Sequence, residues 1–456
     1  MVLTGIIKNL PEIKKPDKKL GFNTKLKWTF IILISYFVLA SIPLYGLTEV
    51  ALSNFEYLAI LLGTEFGSII SLGIGPIVMA SIILQLLVGV QIIKIDTKSE
   101  EGKKFYQGLN KLFVFFFIIF EAVIYVLMKG LQANPGWEGF LILQLCIGGL
   151  IIFFMDEITQ KWGFGSGVSL FIAAGIGKRL FSGLFQFVDQ SGAIKPIGEV
   201  LVFFSSLIVG DGKTAFYALI KILITAVLFV VVIWAQSLKV EIPLAFDRIR
   251  GYGIKWPLPL FYTGVIPVIL VSALVGNIQL FGSLLENYLG RPTILGEFSK
   301  QGGVPYSGLA FWIHSTPILE LFLKESLTWR YLLQGISHLL FYVVFSIIFA
   351  YFWVMTANLD AESQAKNILS SGLSIPGFRR DERVLETVLK RYIKPLTILG
   401  GASIGFLAAI ADLTGALVGG TSILLVVMII YQFYQNIAQQ HALDMNPALA
   451  GFFKGG

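Results

Sequence analysis

The side chains that could do chemistry are few, and none is spaced for catalysis. His314, His338 and His441 are the three histidines. They form neither an HExxH pair nor another metal-ligand spacing, so a zinc-dependent activity is not expected. Cys146, the single cysteine, sits in an apolar run, can form no internal disulfide and reads as a small core residue. The cluster Gly163-Phe164-Gly165-Ser166-Gly167 invites two enzymatic readings, and neither fits. A phosphate-cradling loop needs a strand before its helix. A serine-hydrolase elbow needs glycine two positions before the serine, where Phe164 stands, and only His338, near the end of an apolar run, is at hand as a base. Glu121 is the one carboxylate inside a long apolar run and Asp412 lies at the end of another, too few for the facing carboxylates that ion carriers use. No enzymatic activity, cofactor or metal is expected.

The elements that hold these residues follow from composition. Of 456 residues, 55% are hydrophobic and 14% charged, with a mean hydropathy of +0.78, more apolar surface than one water-solvated core can bury. Lipid must solvate most of it, and unpaired backbone is so costly in hydrocarbon that the chain must resolve into helices of about 20 apolar residues. Ten runs qualify: 28–47, 69–90, 110–128, 139–155, 165–182, 214–237, 257–282, 331–356, 395–411 and 414–434. The first has the outline of a signal peptide, but its polar leader is long and the apolar stretch continues to Leu47, so it reads as a span. Two shorter pieces, 50–63 and 197–209, read as interfacial or re-entrant.

With ten spans both termini share a side. That side holds 25 of the 35 lysines and arginines, whereas the opposite loops carry Glu49, Glu56, Glu65, Glu286, Glu297 and Glu320. The positive-inside rule puts both termini in the cytoplasm. The expected organisation is a cytoplasmic segment 1–27, an N-terminal half 28–190, an external linker 191–213, a C-terminal half 214–434 and a cytoplasmic tail 435–456. Two cytoplasmic loops are strongly basic. Loop 237–255 carries Lys239, Arg248, Arg250 and Lys255, and loop 358–394 carries Lys366, Arg379, Arg380, Arg383, Lys390, Arg391 and Lys394. Topology and anionic lipid alone account for such charge. The length of the second loop also suits a grip on a polyanion such as ribosomal RNA, or on an acidic partner protein.

Glycine and proline interrupt several runs: Gly73, Gly75 and Pro76; Gly165, Gly167 and Gly175; Pro267; and Gly400, Gly401 and Gly405. Singly they read as close helix packing. Jointly they suggest movable half-helices around a cavity, since irregular backbone at membrane depth survives only where protein or water surrounds it. The narrowest part of any conduit would be apolar and would gate by dewetting. Ile74, Val78, Val168, Ile172 and Ile269 stand beside the breaks and could supply it.

Four stretches resemble one known family closely: 73–89 (GIGPIVMASIILQLLVG), 165–175 (GSGVSLFIAAG), 239–245 (KVEIPLA) and 266–280 (IPVILVSALVGNIQL). The chain is similar along nearly its whole length to SecY, the large subunit of the Sec protein-conducting channel, in its archaeal and eukaryotic-like branch. The resemblance implies an all-α membrane protein, ten transmembrane helices in two pseudo-symmetric five-helix halves of inverted topology around a central pore, closed by a plug at about 52–66. It also implies passage of unfolded polypeptides and sideways release of hydrophobic segments. The family's pore ring falls on Ile74, Val78, Val168, Ile172, Ile269 and Leu407. Its lateral-gate polar cluster falls on Glu121, Asn277 and Gln279; Met79 stands where relatives often carry threonine, and Ser81 is the hydroxyl at hand. The implied partners are a SecE-type small subunit, a Sec-beta-type small subunit, signal sequences and nascent chains, and a ribosome or other motor docking at Arg248, Arg250, Arg379, Arg380 and Arg383. The implied location is the cell membrane. A secondary transporter with broken helices is the alternative reading; an intramembrane hydrolase lacks its catalytic constellation.

Overall fold

The computed structural model describes residues 10–50, 64–96, 99–188, 193–246, 253–298, 304–370, 373–374 and 381–445. Each of the ten apolar runs has its helix. The N-terminal half contains α1 (Phe22–Ala40), α2 (Gly75–Gly89), α3 (Glu100–Leu127), α4 (Glu138–Trp162) and α5 (Gly167–Phe185). A linker helix, α6 (Glu199–Val209), buries none of its residues, as the short run 197–209 predicts. The C-terminal half contains α7 (Gly212–Ser237), α8 (Ile266–Leu289), α9 (Gly308–Ile313), α10 (Ile318–Leu323), α11 (Trp329–Thr356), α12 (Ala361–Ser370), α13 (Glu382–Leu413) and α14 (Gly420–Met445). Among the described residues nine helices are long and apolar enough to cross a membrane, and α2 is a shorter tenth.

Helices outrun their apolar stretches where the ends are capped. Ser99 accepts from the Gly102 amide, and Glu100 and Glu101 favour the helix N-terminus, so α3 starts well before the run 110–128. Asp381 does the same for α13 by accepting from Arg383 N at 2.9 Å, and Pro395 sits inside that helix without ending it.

The seventh run needs correction. Residues 257–259 belong to a strand, and the helix begins only at Ile266. Pro267 lies in its first turn, where a missing N–H costs nothing, so it starts the helix rather than interrupting it. Gly175 likewise lies inside an unbroken α5. Gly401 and Gly405 serve packing: a Cβ on them would come within 2.9 Å of Ala350 Cβ and 2.7 Å of Ser346 Oγ. Their small size lets α13 lie against α11.

Strands sit in the connections. β1 (Leu47–Val50) pairs antiparallel with β2 (Leu131–Ala133). β3 (Lys239–Phe246) pairs with β4 (Gly253–Pro259), from Lys239↔Pro259 to Ala245↔Gly253. β5 (Glu297–Phe298) pairs with β6 (Pro305–Ser307), and β7 (Leu373–Ser374) adds to β3. Ile242 and Leu258 of the β3–β4 hairpin pack on Leu385, Leu389 and Ile393 of α13, so both basic connections are built on one sheet.

The start of α1 and the end of α14 lie at one end of the bundle. The rings of Phe22 and His441 are 5.5 Å apart, so α1 begins where α14 finishes. The C-terminus of α4 is at the same end, because the rings of Trp28 and Trp162 meet at a tilt with centroids 5.6 Å apart. There Ile13 N donates to Glu157 Oε2 at 3.0 Å, Lys161 Nζ donates to Ile13 O at 2.6 Å and pairs with Glu12, and Trp162 Nε1 donates to Lys14 O at 3.0 Å. These bonds strap the N-terminal segment across α4.

Candidate functional site

Among the described residues, five helices begin two residues after a glycine in the left-handed region, at Gly73, Gly136, Gly165, Gly210 and Gly264, and three of these glycines lead into ring positions. Gly73 (φ 53°) precedes α2, Gly165 (φ 69°) precedes α5 and Gly264 (φ 66°) precedes α8. A side chain disfavours that conformation, so glycine is what allows the chain to turn sharply into each helix. The first turns that follow carry the ring positions: Ile74 and Val78 at α2, Val168 and Ile172 at α5, Ile269 at α8. Spacing of four puts each pair on one helix face.

The fold brings all six ring positions into a single apolar cluster. Ile74, Val78, Ile172 and Ile269 are buried, and Val168 and Leu407 pack against them half-buried. The residues come from two helices of each half, since Leu407 is on α13. Against Val78, Val168 and Ile269 lies a cavity of about 320 Å³ whose other walls include Ser81, Gln85, Asn110, Gln160, Gln432 and Asn436. It lies toward the end of the bundle where α1 starts, because α2 runs from the ring toward that end. Ile74 and Ile172, 1% and 0% exposed, close the core beyond it. Buried Gln85 Oε1 and Asn110 Oδ1 bond no protein group.

Along one side, α2 contacts α8 and α11, and Phe120 of α3 meets Phe281 of α8 at 6.5 Å. This is a seam between the halves. Glu121, Asn277 and Gln279 are buried beside it but are not bonded to one another. Neither carboxylate oxygen of Glu121 has a protein partner, and a Cβ on Gly75 would stand 3.0 Å from Oε2. Asn277 Nδ2 donates to Ala273 O at 2.8 Å, and Gln279 Nε2 stands 3.4 Å from His314 Nδ1. Ser81 donates to Ile77 O at 3.0 Å and faces the cavity rather than Glu121.

Plug residues 52–63 lie outside the described residues, as do Arg248, Arg250, Arg379 and Arg380. Just after residues 52–63, within the segment expected as a plug, Thr64 Oγ1 donates to Ile70 O at 2.7 Å and Glu65 pairs with Lys178 of α5. Arg383 is exposed at the start of α13.

Sequence reasoning missed the cavity's carboxamides and a buried polar group in the C-terminal half. There Gln334 bonds Thr316 and Phe311 O, and His338 Nδ1 lies 2.8 Å from Ile313 O. A polar residue inside an apolar run, such as Gln85 within ILQLLV, is the signal that marks them.

An apolar constriction drawn from both halves, a polar vestibule against it and a seam at its side define a pore-forming membrane protein. The SecY family profile matches residues 68–434. The protein translocase subunit SecY of Methanothermobacter thermautotrophicus is 42% identical over 97% of this chain and 96% of its own. Two solved structures cover 98% of this chain and 99% of theirs. One is of a SecY protein, on the plug domain stabilising the closed state of the translocation channel and maintaining a membrane seal, with a TM-score of 0.83 and 36% identity. The other is Sec61 in the canine ribosome-channel complex from the endoplasmic reticulum, with a TM-score of 0.78 and 35% identity. The chain belongs to the SecY family of protein-conducting channels.

Proposed function

We propose that this chain is the central pore-forming subunit of a Sec translocon, and that Ile74, Val78, Val168, Ile172, Ile269 and Leu407 are its seal. The observation that supports the reading is the cavity lined by Val78 and Val168 from one half, Ile269 from the other and a set of carboxamides, with all six positions in or against the apolar core. Aliphatic side chains make no directional bonds, so such a ring closes around a polypeptide of any sequence and dewets when empty. The carboxamides and hydroxyls offer donors and acceptors beside a single carboxylate, Asp156, which suits an extended backbone rather than one side chain.

The seam at Phe120 and Phe281 is the lateral gate, with Glu121, Asn277 and Gln279 as its polar residues. A hydrophobic segment leaves through it by its own transfer free energy, in which leucine is favourable and charge is not. The segment 52–66 is the plug. The channel itself does no covalent chemistry. Both termini are cytoplasmic, as the lysine and arginine asymmetry indicates, and the membrane is the cell membrane. The arginines of loops 237–255 and 358–394 dock a ribosome or another motor. A SecE-type subunit clamps the halves and a Sec-beta-type subunit lies at the periphery.

The test is ion conductance of the chain in planar bilayers. Replacing Ile74, Ile172 and Ile269 together with glycine should turn a closed channel into a leaky one. Unchanged conductance would remove the dry seal.

A further inference from the structure

Two buried carboxylates have no part in the ring or the seam: Asp156 on α4, 5% exposed, and Asp412 at the end of α13, 6% exposed. Asp156 Oδ1 accepts from Val168 N at 2.9 Å and from Ser166 Oγ at 3.4 Å, and Oδ2 accepts from Gln160 Nε2 at 2.7 Å. Ser166 occupies the capping position of α5, yet its own side chain bonds no amide of that helix. A free N–H at the helix start is therefore served from the preceding helix. Asp412 repeats the arrangement. Its Oδ1 accepts from Thr421 N at 2.6 Å at the start of α14, Oδ2 accepts from the Thr421 hydroxyl, and that hydroxyl lies 3.3 Å from Ala408 O.

Glycine opens both capped helices. A Cβ on Gly167 would fall 2.6 Å from Asp156 Cα, and one on Gly420 would overlap the backbone of Ala411. In each half, then, the last helix starts in contact with the one before it, at the aspartate. The turn before α5 lies at the end of the bundle where α1 starts and the turn before α14 at the opposite end, so inversion of the halves relates the two arrangements.

Each arrangement holds a ring residue. Val168 gives its own N–H to Asp156, with Ile172 one turn further. Leu407 adjoins Ala408, whose carbonyl Thr421 approaches. We propose that Asp156 and Asp412 are a symmetry-related pair of positioning residues, remote helix caps that fix the first turn of α5 and the last turns of α13 against the pore. This rests on the ring reading above. A bond from an amide to a carboxylate is among the stronger hydrogen bonds, and a carboxylate at a helix N-terminus also gains from the helix dipole. A small radial gap in the ring forfeits much of its contact energy and widens the dewetted constriction.

The experiment measures resting conductance of the full chain with its partner subunits in planar bilayers, together with hydrogen exchange over 166–169. Asp156→Ala should raise conductance about tenfold and speed exchange at Val168. Asp156→Asn keeps an oxygen acceptor without the charge and should fall between the parent and the alanine variant. Asp412→Ala and Asp412→Asn should rank the same way. If Asp156→Ala is not recovered folded, the isosteric asparagine variant carries the test, with exchange at Val168 about threefold faster than in the parent. Parent-like conductance and exchange in the recovered aspartate variants, beside a leaky glycine-substituted ring, overturns this inference and leaves the ring intact. A ring variant that does not leak overturns the ring reading as well.

Discussion

Phe120 on α3 and Phe281 on α8 meet with ring centroids 6.5 Å apart and planes at 61°, an edge contact that joins the two halves across their seam. Such a pair contributes about 0.5–1.5 kcal/mol beyond the area it buries, enough to shift a closed-to-open ratio about two- to tenfold. Phe281→Ala should therefore lower the hydrophobicity a signal segment needs for export. A reporter series with graded signal hydrophobicity measures this, and an unchanged threshold would count against a gate at this seam.

Gly264 isolates backbone conformation from packing. It has φ 66°, and a Cβ there would meet nothing within 4 Å. Gly264→Ala should cost about 1 kcal/mol from the left-handed conformation alone, and Gly264→Asn less. Thermal melting of the purified chain checks the order parent, Asn, Ala.

Gly401 tests packing instead. With Ala350 at 2.9 Å from an added Cβ, Gly401→Leu must push α13 off α11, and overpacking of this kind costs about 1–3 kcal/mol. A fall in melting temperature larger than that of Gly264→Ala is expected.

The strap at the N-terminus is acid-sensitive. A hydrogen bond from Lys161 holds the Glu12 carboxyl below its ordinary value of 4.5. A carboxylate with a depressed value stabilises the fold fully above that ordinary value and loses its contribution as pH falls through the lowered one. Proteolysis of the segment before α1 should speed up as pH drops below about 4.5, and Glu12→Gln should flatten that dependence. A pH profile identical in parent and variant would exclude the pair.

Charge reversal at Arg379 and Arg380 should weaken ribosome binding and reduce its salt dependence, because a dock that neutralises fewer phosphates releases fewer counterions. Binding that stays equal to the parent's at every salt concentration would refute an electrostatic dock.

All ten spans were legible in the sequence because apolar length is a local property. The missing parts are long-range. No local pattern tells that Asp156 will meet Val168 N, or that residues 257–259 pair with Lys239–Glu241 rather than begin the seventh helix. The glycines before α2, α5 and α8 look no different in sequence from Gly401 and Gly405, yet the former turn the chain while the latter only admit a neighbouring helix. Distinguishing them takes the backbone angle or the neighbour, and neither is local.

The most direct measurement asks what passes the ring. In a chain carrying Cys146→Ser, single cysteines placed at Val78 or Ile269 should crosslink to a nascent polypeptide stalled in transit. A cysteine at Phe116, 56% exposed on the outside of α3, should not. Crosslinks at Phe116 with none at Val78 or Ile269 would mean that the polypeptide takes another route.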